Sequence, residues 1–470
     1  MDDDTGAFDH LAAALMAIED FNDRNPRIVS ELGTNPIYQN CTTFFPTNPE
    51  ELVVTDTKGA VVVSVQAVYD RVRNGKGVCA LVGTQCDPVA VEVSSQASGL
   101  EVPLMMHGTR DNRLSSPRFY PFTTRTCMNR FYEAEVIYGH LDVIGRNNFI
   151  SSVSNIQEFG SQLQETLSTE FDDAEVSHYE LLEYSPPFTG TDPGSVYAAM
   201  KAMKESGFRT VIITVANDEH LKFIADAAEA LGVNNGDYYY ILTGLLSTKN
   251  ALLAASQDAN VTKILHGSAV YTDLDGFAYH PALGIEDPFL KAWKEQNASF
   301  VQRLQSVNPV APGTTGFVNA TATYFQDNYP AELSSYMYDA IMSVGMGRCL
   351  LEEKDRAKQA ATAASNRALQ SNQVGRSSSK PTRGVKGRKN GSPPLVDATR
   401  SLQKKKKKSF QGSITDDFMN AIIETKFVGA TGRVEYNEGN GFRPTNRIRE
   451  KMLYGRFNFR LQKDANGVEK

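Results

Sequence analysis

Short apolar runs alternate with amphipathic stretches along most of the chain. Leu11, Leu15 and Ile18 recur at the spacing of one helical face, which predicts a helix over residues 7–24. The compact apolar run at residues 78–82 is typical of a buried strand. The same pattern predicts strands over residues 52–54, 102–106, 149–150, 178–183, 211–215, 238–242, 433–436 and 454–461, and helices over 61–72, 129–144, 157–170, 192–207, 217–231 and 415–425.

The regular alternation of strand and helix predicts parallel sheets joined by right-handed crossovers. The strands are apolar almost throughout, as expected for sheets that are covered on both faces. One sheet closes near residue 125 and a second begins near residue 129. We therefore predict an α/β protein with two doubly wound parallel-sheet lobes.

The chain divides into five segments on this interpretation. We expect crossings between the lobes near residues 122–130, 242–270 and 320–340. The segments are a first part of lobe 1 (1–125), a first part of lobe 2 (126–245), hinge crossings with the remaining elements of both lobes (246–351), a disordered basic insertion (352–411), and a C-terminal helix with closing strands (412–470).

The insertion differs from the rest of the chain in composition. It is rich in Ala, Ser and Gln, has few large apolar residues, and ends in the run Lys404–Lys408, so we expect disorder. The basic run is interpreted either as a nuclear signal or polyanion site or as a solvated surface insertion. Because the whole chain carries a net charge of -7, we expect no nucleic-acid partner.

Five sequons and five cysteines bear on the cellular compartment. No apolar run approaches the roughly 18 residues that a membrane span needs, and the acidic start Met1–Asp4 does not resemble a signal peptide. An odd number of cysteines allows at most two bridges; free buried cysteines in an intracellular protein are the alternative. The sequons favour the secretory route, and they stand at Asn40, Asn260, Asn297, Asn319 and Asn390.

Motifs that carry enzyme chemistry are missing from the sequence. No phosphate-binding glycine loop follows a predicted strand, and there is no zinc-protease motif, nucleophile elbow or Cys-x-x-Cys pair. The glycines of Gly345-Met346-Gly347 lie in a helical pattern and are interpreted as a packing site. His220 is interpreted as a surface residue on a helix. We expect neither catalytic residues nor a cofactor.

Two loops at strand ends are the best candidates for a binding site. Gly83-Thr84-Gln85-Cys86 leaves one strand and leads to Asp87-Pro88, a helix start whose N–H groups suit an anionic oxygen. His107-Gly108-Thr109 follows the next strand, where the His either lines a site or terminates the strand. Ligands of open α/β sheets bind outside these carboxyl ends.

The sequence resembles the receptor family ligand-binding region, which has the type I periplasmic-binding-protein fold. That fold occurs in metabotropic glutamate and GABA-B receptors, natriuretic peptide receptors and bacterial branched-chain amino-acid binding proteins. The order and spacing of the matching segments make the resemblance fairly specific. The segments are 11–22, 80–85, 102–109, 117–125, 338–340 and 427–434.

The resemblance implies a clam-shell that closes on a ligand in the cleft between its lobes. Lobe 1 would contribute Thr84, Gln85, His107, Gly108 and Thr109. The hinge and lobe 2 would contribute Gln157, Phe159, Ala216, Asn217, Gly244 and Leu245. Glutamate-type sites also place an acid against the ligand's ammonium group, for which the candidates are Asp111, Asp218 and Asp273.

The sequence also departs from the family. The first strand of lobe 1 is missing before the first helix, and residues 56–59 replace a cysteine of the GABA-B and glutamate receptors. Cys41 precedes that position, so Cys41–Cys86 is the candidate disulfide.

The leading functional hypothesis is a ligand-binding ectodomain of a cell-surface receptor, or a fragment of one, that captures a small ligand such as an amino acid. It would be extracellular, with any membrane contact through a segment outside this chain, and would form a homodimer or a heterodimer through lobe 1. The alternatives are a free extracellular solute-binding protein that serves a transporter and, from a different class, an enzyme on a doubly wound fold. An enzyme would need a titratable constellation in the cleft, where the strand-end loops offer only His107.

Overall fold

A computed structural model gives the structure of the chain. It describes residues 4–46, 52–74, 78–156, 158–185, 194–215, 218–244, 255–273, 287–314, 317–376, 416–438, 449–450 and 454–458.

The helices and strands follow the predicted alternation closely. The helices are α1 Asp4–Asn22, α2 Glu31–Thr34, α3 Pro36–Gln39, α4 Val61–Asn74, α5 Asp87–Leu100, α6 Arg130–Val143, α7 Glu158–Asp173, α8 Gly194–Ser206, α9 Asp218–Leu231, α10 Ala259–Leu265, α11 Pro288–Lys294, α12 Ala298–Val307, α13 Tyr324–Asp327, α14 Ser334–Arg376 and α15 at residues 416–423. The strands are β1 Leu81–Val82, β2 Leu104–Met106, β3 Thr123–Arg125, β4 Ile150–Asn155, β5 Tyr179–Tyr184, β6 Thr210–Val215, β7 Tyr239–Gly244, β8 Ala269–Asp273, β9 Lys426–Gly429, β10 Gly432–Glu435, β11 Asn437–Glu438, β12 Arg449–Glu450 and β13 Tyr454–Asn458.

Lobe 1 is built on a five-stranded sheet in the order β1-β2-β3-β12-β11. β1, β2 and β3 pair in parallel, with Leu104 opposite both Leu81 and Thr123. Among the described residues this sheet has no strand before Leu81, in keeping with the departure from the family that the sequence predicted. The prediction of a strand at residues 52–54 is wrong, because these residues form no strand in the structure. The edge strand β1 is only two residues long and offers few backbone groups with which another strand could pair. Leu52 packs against the lobe 1 core instead.

Lobe 2 is built on a six-stranded sheet in the order β13-β8-β7-β6-β4-β5. β5, β4, β6, β7 and β8 are parallel, and β13 joins the edge antiparallel to β8. Two parallel sheets with helices between their strands confirm the predicted fold class.

Alternate residues of single strands enter different cores, so both faces of each sheet are covered. In β2, Met105 packs into the large core of lobe 1, whereas Leu104 and Met106 pack under α5 on the other face. In β6 of lobe 2, Ile212 and Ile213 likewise belong to opposite cores. This two-residue period explains why the strands contain apolar residues almost without interruption.

Two of the three predicted crossings between the lobes are wrong. The first lies where we expected it, between β3 and α6. The described strands from β4 to β8 all pair in the lobe 2 sheet, and the described helices from α11 to α15 contribute to the lobe 1 core. The next described strand of the lobe 2 sheet is β13, after β12 of lobe 1. The periodicity of the sequence marked these elements but could not assign them to a sheet.

The segment that we expected to be disordered from residue 352 is helical as far as Arg376, so that part of the prediction is wrong. α14 begins in the lobe 1 core and continues as an exposed helix beyond residue 354. Arg356 fastens this part by donating to the carbonyl oxygen of Asn40 at 2.8 Å. Alanine is the strongest helix former, so a helix nucleated in the core continues into the Ala-rich sequence. Residues 377–411 of the predicted insertion lie outside the described residues.

The glycines of α14 confirm the predicted packing site. A Cβ added at Gly345 would lie 2.7 Å from the ring of Phe21, and one at Gly347 would lie 2.7 Å from the Cα of Ile422. Hydrogen in place of a side chain therefore lets α1 and α15 approach α14 closely.

The disulfide in the structure joins Cys41 to Cys349, whose Cα atoms lie 5.3 Å apart. The predicted Cys41–Cys86 pair is therefore wrong. Cys86 is exposed at the start of α5, and its sulfur lies 3.8 Å from where a Cβ of Gly59 would be. The actual partner lies in α14, 308 residues away in sequence, a separation that the family comparison gave no reason to expect.

No helix in the described part of the chain is both long and apolar enough to span a membrane.

Candidate functional site

The loop after β1 has an unusual backbone. Gly83 has φ of 143° and Thr84 has φ of 66°, in the left-handed region where a β-branched side chain is strained. The Thr84 hydroxyl oxygen is shielded from solvent and has no hydrogen-bond partner in the part of the chain that the structure describes. Strained backbone and an unsatisfied buried hydroxyl together mark this loop as a candidate binding element.

The loop after β2 packs tightly against the first loop. A Cβ on Gly108 would lie 3.0 Å from Cγ of Gln85, so glycine is needed for this close approach. Thr109 is fully buried, and its hydroxyl donates to the carbonyl oxygen of Thr84 at 3.4 Å. The structure therefore brings all five predicted residues of lobe 1 together, with Gln85 exposed at the rim.

His107 is buried in lobe 1, and neither of its ring nitrogens has a hydrogen-bond partner among the residues described. Its ring meets the ring of His10 edge to face, with centroids 4.9 Å apart. Burial, and secondly the neighbouring His10, lowers the pKa of His107 well below its ordinary value. His107 is therefore a neutral imidazole at physiological pH, with unused hydrogen-bonding capacity.

The start of α14 forms a third wall that the sequence analysis missed. The ring Nε2 of His10 lies 2.6 Å from the carbonyl oxygen of Glu332, and the side chain of Leu333 lies against Gly108. Ser334 and Ser335 follow in the first turn of α14, both buried and both with hydroxyls that lack a partner among the described residues. A polar pair at the start of an apolar helix was the available signal in the sequence, but many ordinary helices start in this way.

The carboxyl edge of the lobe 2 sheet carries a buried polar network. The Tyr184 hydroxyl, at the end of β5, lies 3.2 Å from Nδ1 of His220, and Ser154 donates to the Thr214 hydroxyl at 2.8 Å. Burial raises the pKa of Tyr184 well above its ordinary value, so it stays protonated. His220 is buried, so its assignment to the surface is wrong: it lies on the inner side of α9.

Most predicted lobe 2 contacts lie outside the described residues, namely Gln157, Ala216, Asn217 and Leu245, and of Phe159 only the backbone in α7 is described. Gly244 is described and ends β7. The first turn of α7 packs closely against the end of β4, because a Cβ on Gly160 would collide with Asn155.

Asp111 is already engaged within lobe 1. Its carboxylate accepts from Nε of Arg113 at 2.9 Å and from the Arg113 backbone N–H at 2.8 Å. Burial raises the pKa of Asp111, but the hydrogen bonds from Arg113 outweigh it and lower the pKa overall. Asp111 is thus a poor partner for a ligand ammonium group, and the side chains of Asp218 and Asp273 lie outside the described residues.

The loops of lobe 1 offer neutral hydrogen-bonding groups. In the described part of the chain, His107 contacts another histidine and makes no hydrogen bond to a hydroxyl. The fold and this site together define a two-lobed α/β ligand-binding protein.

Comparison with known proteins agrees with this class. The family model "Receptor family ligand binding region" matches residues 10–448, which is most of the chain. The chain therefore belongs to this family of ligand-binding, non-enzymatic regions. No curated protein sequence matches it.

Proposed function

We propose that the chain is the ligand-binding ectodomain of a cell-surface receptor, or part of one, and captures a small ligand between its lobes. One observation carries the proposal. Buried polar atoms of Thr84, His107, Ser334 and Ser335 have no hydrogen-bond partner among the described residues, and they occur in three segments that pack together at the carboxyl edge of the lobe 1 sheet. Buried polar groups are normally satisfied, so this group of atoms supports a site at which a bound ligand supplies the partners.

The chemistry of these groups favours an amino acid or another small carboxylate. Three hydroxyls can donate to carboxylate oxygens, and neutral His107 can donate from one ring nitrogen. Hydrogen bonds to a charged partner are worth about 1.5–3 kcal/mol each, more than those to a neutral one. The ligand would be held first by lobe 1 and then enclosed by lobe 2.

An extracellular location is supported by the disulfide and the sequons. Cys41–Cys349 is a bond of the kind that persists in oxidising compartments. Asn40 and Asn319 are exposed and lie outside helices, so we propose them as the glycosylated sites. Asn260 suits glycosylation less well, because it is half-buried and its amide nitrogen donates to Asp226 at 2.9 Å.

We also propose that two copies associate through lobe 1. α4 leaves apolar side chains exposed on its outer face, where Val62 is 80 % and Tyr69 is 46 % exposed. An exposed apolar patch of this kind is typical of an interaction surface. Val62→Asp should shift a dimer to monomer in analytical ultracentrifugation, whereas an unchanged sedimentation coefficient would oppose this surface.

A thermal-shift screen of the purified chain against the amino acids and small carboxylates tests the function. A ligand at 100 times its dissociation constant should stabilise the folded state by about 2.7 kcal/mol. Small-angle X-ray scattering with the best compound should show a smaller radius of gyration as the cleft closes. If no compound raises the melting temperature, the amino-acid hypothesis is wrong.

A further inference from the structure

The loop between β2 and β3 is anchored firmly in lobe 1. Nη1 of Arg125, a buried residue of β3, donates to the carbonyl oxygens of Thr109 at 3.2 Å and Asp111 at 2.9 Å. The backbone N–H of Arg110 donates to the carboxylate of Asp87 at the start of α5, at 3.1 Å. The backbone around Arg110 is therefore fixed by lobe 1.

The side chain of Arg110 nevertheless extends into lobe 2. Its Nη1 lies 3.4 Å from the carbonyl oxygen of Gly244 at the end of β7 and 3.7 Å from Oε2 of Glu133 in α6. The Arg110 side chain is only 9 % exposed and that of Glu133 is fully buried. A buried ion pair therefore joins the two lobes.

Glu133 has a second set of partners inside its own lobe. Nη1 of Arg130 lies 2.6 Å from Oε2, and the Thr243 hydroxyl donates to Oε1. Burial raises the pKa of Glu133, but the charges of Arg130 and then Arg110 outweigh it and lower the pKa overall, so Glu133 is anionic. Loss of the Arg110 contact would leave this carboxylate still paired.

That arrangement suits a contact that is made and broken repeatedly. Separating a buried ion pair is costly when it strands a charge. Here Glu133 retains Arg130 when the lobes part, while the guanidinium of Arg110, close to the cleft, becomes hydrated. A neutral contact accompanies the ion pair: Asn112 donates to the Thr166 hydroxyl of α7 at 3.0 Å.

We infer that Arg110 is an interlobe latch: its charged contact with Glu133 and its bond to Gly244 set how far the lobes close. The inference rests on the proposed capture between two lobes, but it concerns the protein without ligand. The latch stabilises the closed arrangement and thereby reduces the closure that a ligand has to drive.

Small-angle X-ray scattering of the ligand-free chain tests the latch. Arg110→Met removes the charge and donors but keeps much of the side-chain volume, and it should increase the radius of gyration relative to wild type. Arg118→Met is the matched control on the same loop, because the exposed Arg118 side chain lies over the ring of its neighbour Phe119 and leaves no buried charge unpaired when it is replaced. The control should keep the wild-type radius.

An unchanged radius in folded Arg110→Met overturns the latch, whatever the ligand screen shows. If that variant does not fold, as judged by circular dichroism, Arg110→Gln decides by the same criterion. Failure of both variants to fold would assign Arg110 to the core and also overturn the latch. Failure of the ligand screen alone would affect the proposed function and leave the scattering result standing.

Discussion

The hydroxyl of Thr109 donates to the carbonyl oxygen of Thr84 at 3.4 Å and so ties the loop after β2 to the loop after β1. Among the described residues the Thr84 hydroxyl has no such partner. The two threonines cannot be told apart from the sequence, since each follows a parallel strand. In the structure the Thr109 hydroxyl joins the two loops, whereas the Thr84 hydroxyl is left without a hydrogen bond to the residues described.

Thr109→Val should loosen the two loops. The hydrogen bond that the substitution removes is long at 3.4 Å, so the free energy of unfolding should fall by about 0.5–1 kcal/mol. Urea denaturation measures this loss. Thr169→Val is the control, because Thr169 is an exposed residue of α7 whose hydroxyl donates to the carbonyl oxygen of Glu165 one turn earlier, at 3.1 Å. Equal stabilities of the two variants would show that the tie contributes nothing.

Replacing both Cys41 and Cys349 by alanine should destabilise the fold strongly. The bond closes a loop across 308 residues of sequence and lies at the edge of the lobe 1 core, and loss of a native disulfide typically costs about 2–5 kcal/mol. Thermal unfolding measures the loss, with Cys86→Ala as the control that should melt like wild type. Peptide mapping without reductant should recover the Cys41–Cys349 pair; a Cys41–Cys86 peptide would contradict the structure.

Asp287 should make the protein less stable at alkaline pH than at acidic pH. Burial, with a smaller contribution from Asp339, raises the pKa of Asp287 to about 6 against the hydrogen bonds from Phe289 and Leu290. An acid whose pKa is raised on folding holds its proton longer in the folded state. Stability therefore falls as the pH rises from about 4 to 6, and the loss persists above that range.

Asp287→Asn removes this buried charge and keeps the oxygen that caps α11, at 2.8 Å from the Phe289 N–H. We expect a gain of about 2–3 kcal/mol at pH 8 and almost none at pH 4, measured by urea denaturation at both pH values. Asp258→Asn is the control of opposite sign. Hydrogen bonds from Lys222 lower the pKa of Asp258, so its substitution should destabilise at pH 8. A pH-independent effect at position 287 would refute this account.

Gly345→Ala should destabilise the contact of α14 with α1. The added methyl group would lie 2.7 Å from the Phe21 ring, and overpacking of this kind typically costs about 1–3 kcal/mol. Gly139→Ala is the control: it lies on the exposed face of α6 with no atom within 4 Å of the new carbon. That variant should gain up to about 1 kcal/mol from helix propensity. Thermal unfolding separates the two.

The sequence predicted those elements whose local pattern and tertiary packing agree. β6 and β7 are apolar on both faces, so their sequence pattern and their burial in the structure both indicate a buried strand. Residues 52–54 have the composition of a strand but no edge to pair with, and composition cannot reveal a neighbour. α14 shows the reverse, because Ala-rich polar sequence is helical where a packed core extends into it.

The candidate site was predicted only in part for a related reason. Thr84 and Thr109 were found because carboxyl ends of neighbouring strands meet at one edge of a sheet. Ser334 and Ser335 come from a helix start more than 200 residues later in the chain, and nothing local shows that this start reaches the same edge. The partner of Cys41 was missed in the same way, since pairing depends on tertiary structure.

The most direct test of capture between the lobes is calorimetric titration of wild type and Thr84→Val with the amino acid or carboxylate that gives the largest thermal shift. Thr84→Val removes a buried hydroxyl that makes no hydrogen bond to any described residue, so the unliganded fold should melt like wild type. If that hydroxyl holds a charged ligand group, the dissociation constant should rise roughly tenfold or more. Thr169→Val should bind like wild type. Equal affinity of Thr84→Val and wild type would contradict a ligand held at this edge of lobe 1.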